Sequence, residues 1–237
     1  MKGVVIAGGL GTRLYLLTFA TNKHLLPVYD RPMIFYPIQT LVKPGIKEIM
    51  VVTGGPHAGH FISVLKNGKD LGVKHLEFAY QESEGGIAHA LRLCEDFASR
   101  ESIVVILGDN TTDADISKEV KNFKDGAMIF LKKVPDPQRY GVPVFDKRKQ
   151  IVTIEEKPKN PKSDFAVTGL YFYDDQVFDY IRTIKPSTRG ELEITDLNNC
   201  YIKDGKMNWA NLEGFWSDAG TFKSLFLANQ HWSKQAK

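Results

Sequence analysis

Short Val- and Ile-rich runs alternate with stretches of helical periodicity through the first half of the chain. The apolar runs cover residues 3–7, 49–53, 75–80, 103–107 and 128–134, and the intervening segments 33–42, 57–65, 87–97 and 116–123 read as helices. Strands joined by helical crossovers build a parallel sheet. None of the runs alternates strictly between apolar and polar residues, so both faces of that sheet are expected to be covered.

Beyond residue 135 the pattern shortens. Strands are predicted at 141–145, 151–155 and 167–173, separated by Pro135, Pro137, Pro158 and Pro161. A helix is predicted over 191–203, where Thr188 and Glu191 have capping-box spacing, and a last one over 222–232. Internal repeats, low-complexity tracts and linkers are absent from the sequence. The expected fold is therefore α/β: a Rossmann-like, three-layer, mostly parallel sheet with helices on both faces and an elaborated second half, in a single domain spanning 1–237.

Composition adds limits. With 43% hydrophobic, 25% charged and 11% aromatic residues, the 237-residue chain has the make-up of a globular protein with a substantial core. Its 31 basic and 28 acidic residues leave a net charge of +3, spread along the chain. That balance argues against nucleic acid or an anionic membrane as partner and favours a small anionic ligand. Cys94 and Cys200 stand far apart outside any CxxC pattern and read as free thiols. The apolar runs fall well short of the roughly 20 residues of a membrane helix. A strand begins within two residues of Met1, and the expected location is cytoplasmic. His24, His57, His60, His75, His89 and His231 lack zinc-site spacing and read as surface or packing residues, and Phe215, Trp216, Phe222 and Phe226 read as core.

The candidate chemistry starts in the segment GGLGTRLYLLTFATNKHLLP at 8–27, directly after the apolar VVIA. A dinucleotide fingerprint would need a third glycine where Leu14 stands, and the Gly-Lys-Ser/Thr tripeptide of a P-loop is missing. The loop leaves the carboxyl end of the first strand, where its amides can turn toward phosphate oxygens, with Arg13 as a planar fork and Lys23 as a compact charge. A glycine-rich turn carrying two solvated cations satisfies the same residues. Asp109, at the end of a strand, and Asp218, in a glycine-flanked turn, can hold Mg²⁺ together with substrate phosphates or simply cap turns. Gln81, followed by Gly85 and Gly86, can read the edge of a pyrimidine or belong to a helix-entry turn. Lys157, beside Glu155 and Glu156, can meet a phosphate or form an ordinary surface ion pair.

Taken in order, GGLGTRL with NKHLLPV, QESEGGIAHA (81–90), LGDN (107–110), YGV (140–142), EEKP (155–158), VTGLYFYD (167–174), RGELEITD (189–196) and WSDAGT (216–221) cover nearly the whole chain. This set closely resembles the sugar-1-phosphate nucleotidyltransferase family, and within it the short glucose-1-phosphate thymidylyltransferases. The resemblance implies a nucleotide-binding half at 1–134 and a sugar-phosphate-binding half at 135–237, with dTTP and glucose 1-phosphate as substrates. It implies nucleotide contacts from Gly8, Gly9, Gly11, Thr12, Arg13, Gln81, Gly86 and Asp109, and sugar-phosphate contacts from Gly141, Glu156, Lys157 and Val167. Catalytic roles fall to Arg13, Lys23 and Lys157, and Mg²⁺ falls to Asp109 and Asp218. It also implies a homo-oligomer, tetramer or dimer, with neither nucleic acid nor membrane as partner.

Two alternatives stay open. Thymine and uracil differ by one methyl, worth about 1–3 kcal/mol in an apolar pocket, so UTP is the competing substrate. From another class, a catalytically silent nucleotide-sugar sensor would keep the same cleft. The chain departs from the family pattern at Leu16 (usually Pro), at Thr111 and Thr112, at Pro143, which is expected to interrupt a strand, and at Ala219 (usually Thr). Longer relatives continue into helices associated with a regulatory site, so feedback by product competition alone is expected here.

Overall fold

The computed structural model describes residues 1–235. Its centre is a seven-stranded sheet built from β1 (Lys2–Ala7), β2 (Glu48–Gly54), β3 (His75–Gln81), β4 (Ile103–Leu107), β5 (Ala127–Lys133), β8 (Phe165–Tyr173) and β9 (Met207–Asn211). A separate hairpin, β6 (Gly141–Phe145) with β7 (Ile151–Glu156), lies between β5 and β8 in sequence. The spatial order is β9-β5-β8-β4-β1-β2-β3. β1 pairs in parallel with β2 and β4, β2 with β3, and β5 with β9, while β8 runs antiparallel to both β4 and β5. The sheet is thus mostly parallel with one reversed strand.

Residue parity explains the unbroken apolar runs. Along β1, Val4 and Ile6 face one hydrophobic layer while Val5 and Ala7 face the other, and Ile103/Val105 and Val104/Ile106 divide β4 in the same way. The first layer is closed by helices α3 (Ile87–Arg92), α4 (Glu95–Ala98), α6 (Val177–Thr183) and α7 (Ile194–Lys203). The second layer takes Ile38 of α1 (Phe35–Val42) and Phe61 of α2 (Ala58–Leu65), with Val120 of α5 (Ser117–Asn122) packed against it. A third cluster joins Leu14 of the glycine loop to Leu225 and Ala228 of α8 (Phe222–Gln235). Leu14, fully buried there, is the residue that displaced the dinucleotide pattern.

Several sequence expectations are corrected. The helix expected from residue 191 begins at Ile194, with no side-chain cap. Residues just before it are instead drawn to the 85–88 segment, since Leu192 N–H donates to the Gly85 carbonyl and its carbonyl accepts from Ala88 N–H. The expected helix 87–97 divides at Leu93 and Cys94, where the amides bond three residues back, to Ala90 and Leu91. Pro143 does not interrupt its strand: it sits within β6 opposite Ile154, in a two-stranded sheet where a missing donor is tolerated. Phe222 and Phe226, expected in the core, are exposed on α8. Strand β9 lacked a clear sequence pattern because its residues MNWAN are only partly buried at the sheet edge.

Phe172 is fully buried, with Phe123 and Phe130 rings at 5.5 and 5.3 Å. Phe172→Ala is expected to cost about 3–5 kcal/mol through lost burial and the cavity left behind, read as a lower denaturation midpoint with an unchanged slope.

Candidate active site

The carboxyl ends of β1, β3 and β4 open into a cleft of about 640 Å³, closed on its far side by β6, β7, β8 and α7. Of the binding, catalytic and metal residues that the resemblance implies, all but Gly11 line it. Gly11 works within the loop: its φ of 73° is left-handed, and a Cβ there would lie 2.7 Å from Lys23 Cβ.

Two carboxylates define the centre of the cleft. Thr111–Thr112 pairs antiparallel with Trp216–Ser217, so Asp109 and Asp218, lying just outside this short ladder, are brought together from segments more than a hundred residues apart. A Cβ on Gly220 would lie 3.3 Å from Asp109 Oδ2 and 3.5 Å from Arg13 Nη2, which shows how tightly the WSDAGT turn closes on both. Asn110 fastens the junction. Its Nδ2 donates to Asp109 at 3.0 Å, and its Oδ1 accepts from Trp216 Nε1 at 2.7 Å and from the Gly169 amide at 3.1 Å. Thr111 and Thr112 are therefore the pairing residues that hold this junction, and Trp216, partly buried against the second hydrophobic layer, also lines the cleft.

Each carboxylate has its own cation. Lys23 Nζ lies 2.5 Å from Asp109, and Arg139 Nη2 lies 3.0 Å from Asp218. Burial pushes the Asp109 carboxyl up, but the Lys23 charge and hydrogen bonds from Lys23 and Asn110 outweigh it, leaving the group below its ordinary range. At Asp218 burial and the neighbouring Asp109 charge prevail, and its pKa is raised. Asp218 Oδ1 is buried without a hydrogen-bond partner, an orphaned acceptor that a bound cation would satisfy. Among the described residues no three His, Cys, Asp or Glu side chains gather as a self-sufficient metal site, so any ion here must share its coordination with a ligand.

On the far side of the cleft, β7 ends at Glu156 and is followed by Lys157. Lys157 has a φ of 44°, a left-handed geometry uncommon for a side-chain-bearing residue, and its N–H donates to the Tyr140 carbonyl at 3.0 Å. This turn keeps Lys157 and Gly141 on the same wall. Glu156 Oε2 accepts from Thr195 Oγ1 at 2.6 Å, and Glu156 Oε1 lies 3.3 Å from Lys157 Nζ. Strand β8 loses its register between Val167 and Tyr171, where Thr168 bonds to the Phe130 carbonyl and Gly169 admits Asn110. At the other end of the cleft, Gln81 Nε2 donates to the Gly86 carbonyl at 3.2 Å, while its Oε1 approaches Gly8. Gly86 has a φ of 92°, and a Cβ there would meet the Leu192 carbonyl oxygen at 2.5 Å. Sequence reasoning passed over Arg139 and Thr195, although both sit beside or within the quoted motifs YGV and RGELEITD.

Residues 2–235 match the family model described as nucleotidyl transferase. The chain is 43% identical over 234 residues to a glucose-1-phosphate thymidylyltransferase of Neisseria meningitidis, covering 96% of this chain and 81% of that protein. It is 42% identical over 234 residues to one of Mycolicibacterium smegmatis, with shares of 97% and 81%. Among solved structures, a Bacillus anthracis protein described in the same terms and crystallised with sucrose superposes at a TM-score of 0.92 with 50% identity, over 98% of this chain and 94% of that one. A UDP-glucose pyrophosphorylase bound to UDP-glucose shares the fold at a TM-score of 0.84 and 21% identity, over 99% and 98% of the two chains.

His24 lies against the cleft floor, and burial together with the Lys23 charge lowers its pKa to about 3. The unfolded chain therefore binds a proton at this position that the folded chain refuses, and stability present above pH 6.5 should drain away as the pH falls toward about 3. Denaturation across that window should show the slope, and His24→Gln should flatten it; an unaltered slope would assign the acid limb to other groups.

Proposed function

The chain belongs to the nucleotidyl transferase family, and from that premise we infer that it transfers the deoxythymidylyl group of dTTP to α-D-glucose 1-phosphate. The observation that carries this reading is the meeting in one cleft of the glycine loop, Gln81, Asp109 and Asp218 with Glu156 and Lys157, in a chain 43% identical to a glucose-1-phosphate thymidylyltransferase over 96% of its length.

A phosphate oxygen of glucose 1-phosphate attacks the α-phosphorus of dTTP in line. The bond from that phosphorus to the bridging oxygen breaks, pyrophosphate leaves, and dTDP-glucose remains. The attacking oxygen is already ionised at neutral pH, so the residues supply position and charge rather than a general base. The loop amides near Gly8 and Gly9, with Arg13 and Lys23, take the triphosphate. Lys157 draws in the sugar phosphate, and Glu156, oriented by Thr195, accepts hydrogen bonds from sugar hydroxyls. Gln81 reads the base with its carbonyl oxygen or by exchanging its bond to Gly86. Asp109 and Asp218 fit Mg²⁺ because they supply two hard oxygen ligands and one of them carries an unpartnered buried oxygen. Bound there with a substrate phosphate, the ion would neutralise charge at the reacting phosphorus.

UTP is the competing nucleotide, and the distant UDP-glucose pyrophosphorylase likeness bears on fold alone. Exposed Phe222, Phe226 and Leu227 on α8, with Leu16 and Phe19 on the glycine loop, support a homo-oligomer, which sedimentation at micromolar concentration would detect. The free thiols Cys94 and Cys200 support a cytoplasmic location, and among the described residues no helix is long and apolar enough to cross a membrane.

Pyrophosphate release from glucose 1-phosphate and Mg²⁺, measured with dTTP, UTP, CTP, GTP and ATP in turn, should be fastest with dTTP. Equal rates with UTP would leave a pyrimidine-tolerant enzyme, and binding of dTTP without any turnover would leave the sensor. Asp109→Asn should keep the fold and lose about 10²–10³-fold in turnover, as expected when one electrostatic group is removed from such a centre. Lys157→Ala should raise the KM for glucose 1-phosphate by about tenfold while sparing the KM for dTTP.

A further inference from the structure

Arg139 lines the centre of the cleft, comes from the second half of the chain and is left without a role by the reading above. It stands at the end of a short turn, Pro137–Arg139, that leads into β6. Its guanidinium is held at two corners: Nη1 lies 2.9 Å from Asp136 Oδ2, and Nη2 lies 3.0 Å from Asp218 Oδ2. The carbon at its centre lies 5.2 Å from the Tyr140 ring centroid. About 30% of the side chain is exposed, against 16% for Asp218.

Arg139 therefore occupies one oxygen of a candidate metal ligand while the other oxygen, Oδ1, goes unpartnered. Lys23 likewise occupies Oδ2 of Asp109, whose Oδ1 accepts from Asn110. A divalent ion arriving at the free protein must bind between two carboxylates whose charge is already matched, and it gains little from them. When a substrate phosphate enters, it offers both cations a second anionic partner. Asp136 supplies the pivot, because Arg139 can let go of Asp218 and remain anchored at Nη1.

We propose that Arg139 is a counter-ion gate: it holds Asp218 in the empty cleft and exchanges it for a substrate phosphate, so that metal binding and nucleotide binding promote each other. The inference rests on the assignment of Asp218 as a metal ligand. Thermodynamic reciprocity then requires that bound nucleotide tighten the metal by the same factor as bound metal tightens the nucleotide.

The test uses Mn²⁺ alone as probe, with free Mn²⁺ followed by electron paramagnetic resonance in the absence of nucleotide, on wild-type, Arg139→Gln, Arg139→Lys and Asp218→Asn proteins whose folding is checked by thermal denaturation. Removing the competing cation should tighten Mn²⁺ binding by about three- to tenfold in Arg139→Gln, the range of a partly exposed ion pair. Arg139→Lys should stay near wild type. In EDTA, dTTP binding should weaken several-fold in Arg139→Gln and not in Arg139→Lys. Mn²⁺ affinity in Arg139→Gln that equals or falls below wild type, or that is undetectable in both, overturns the gate and leaves Arg139 as a structural prop for Asp218. Unchanged Mn²⁺ binding in Asp218→Asn, in contrast, overturns the metal assignment itself and the gate with it.

Discussion

Two carboxylates, Asp109 and Asp218, share one poorly hydrated place, and their mutual repulsion is the constraint around which the cleft is arranged. Left alone, like charges so placed would raise each other's pKa or push the segments apart. The fold answers with a cation for each and with a short ladder, Thr111–Thr112 against Trp216–Ser217, that fixes their separation mechanically. Asn110 extends the brace to β8 and the Trp216 ring, so the metal candidates, the strand carrying Val167 and the indole wall move as one unit. Destabilising electrostatics at a working centre are thus carried by hydrogen bonds and packing around it.

The same economy operates at the rim of the cleft. Gly86 is a glycine less for the sake of a ligand than because its left-handed backbone lies against the Leu192 carbonyl, where any Cβ would collide. That close approach knits the segment after β3 to the segment before α7, and Thr195 on α7 then steadies Glu156. Gln81 and Glu156, on opposite walls of the cleft, are therefore linked through hydrogen bonds that run by way of Gly86, Leu192 and Thr195.

Three carboxylates of the cleft each face a cation: Lys23 and Arg139 lie against Asp109 and Asp218, and Lys157 lies against Glu156. Anionic substrates enter by partner exchange, which costs less than stripping water from bare ions because each side chain passes from one paired state to another. Arg13, exposed on the glycine loop, has no ion-pair partner within 4.0 Å among the described residues and is free to make the first encounter.

How much of this was legible beforehand follows from where the physics is local. Apolar runs of strand length, covered on both faces, fixed the mostly parallel sheet, and the spacing of Gly8, Gly9, Arg13 and Lys23 with Leu14 separated this loop from its dinucleotide and P-loop rivals. Quoted motifs, read through their resemblance, pointed to thirteen cleft-lining residues without saying what held them there. The features missed at the site are long-range. The late start of α7 depends on a pairing with residues a hundred positions earlier, and Thr111 and Thr112 look like departures from a pattern until Trp216 and Ser217 are seen opposite them. Arg139 reads as one more surface arginine until the chain brings Asp218 to within 3.0 Å of it. Sequence by itself determined most of the sheet and the glycine loop, because strand periodicity and turn chemistry act over a few residues, whereas the groups expected to meet the substrates were read through a family resemblance. Tertiary structure alone decided which charge faces which, because ion pairing depends on distances that only the closed fold sets.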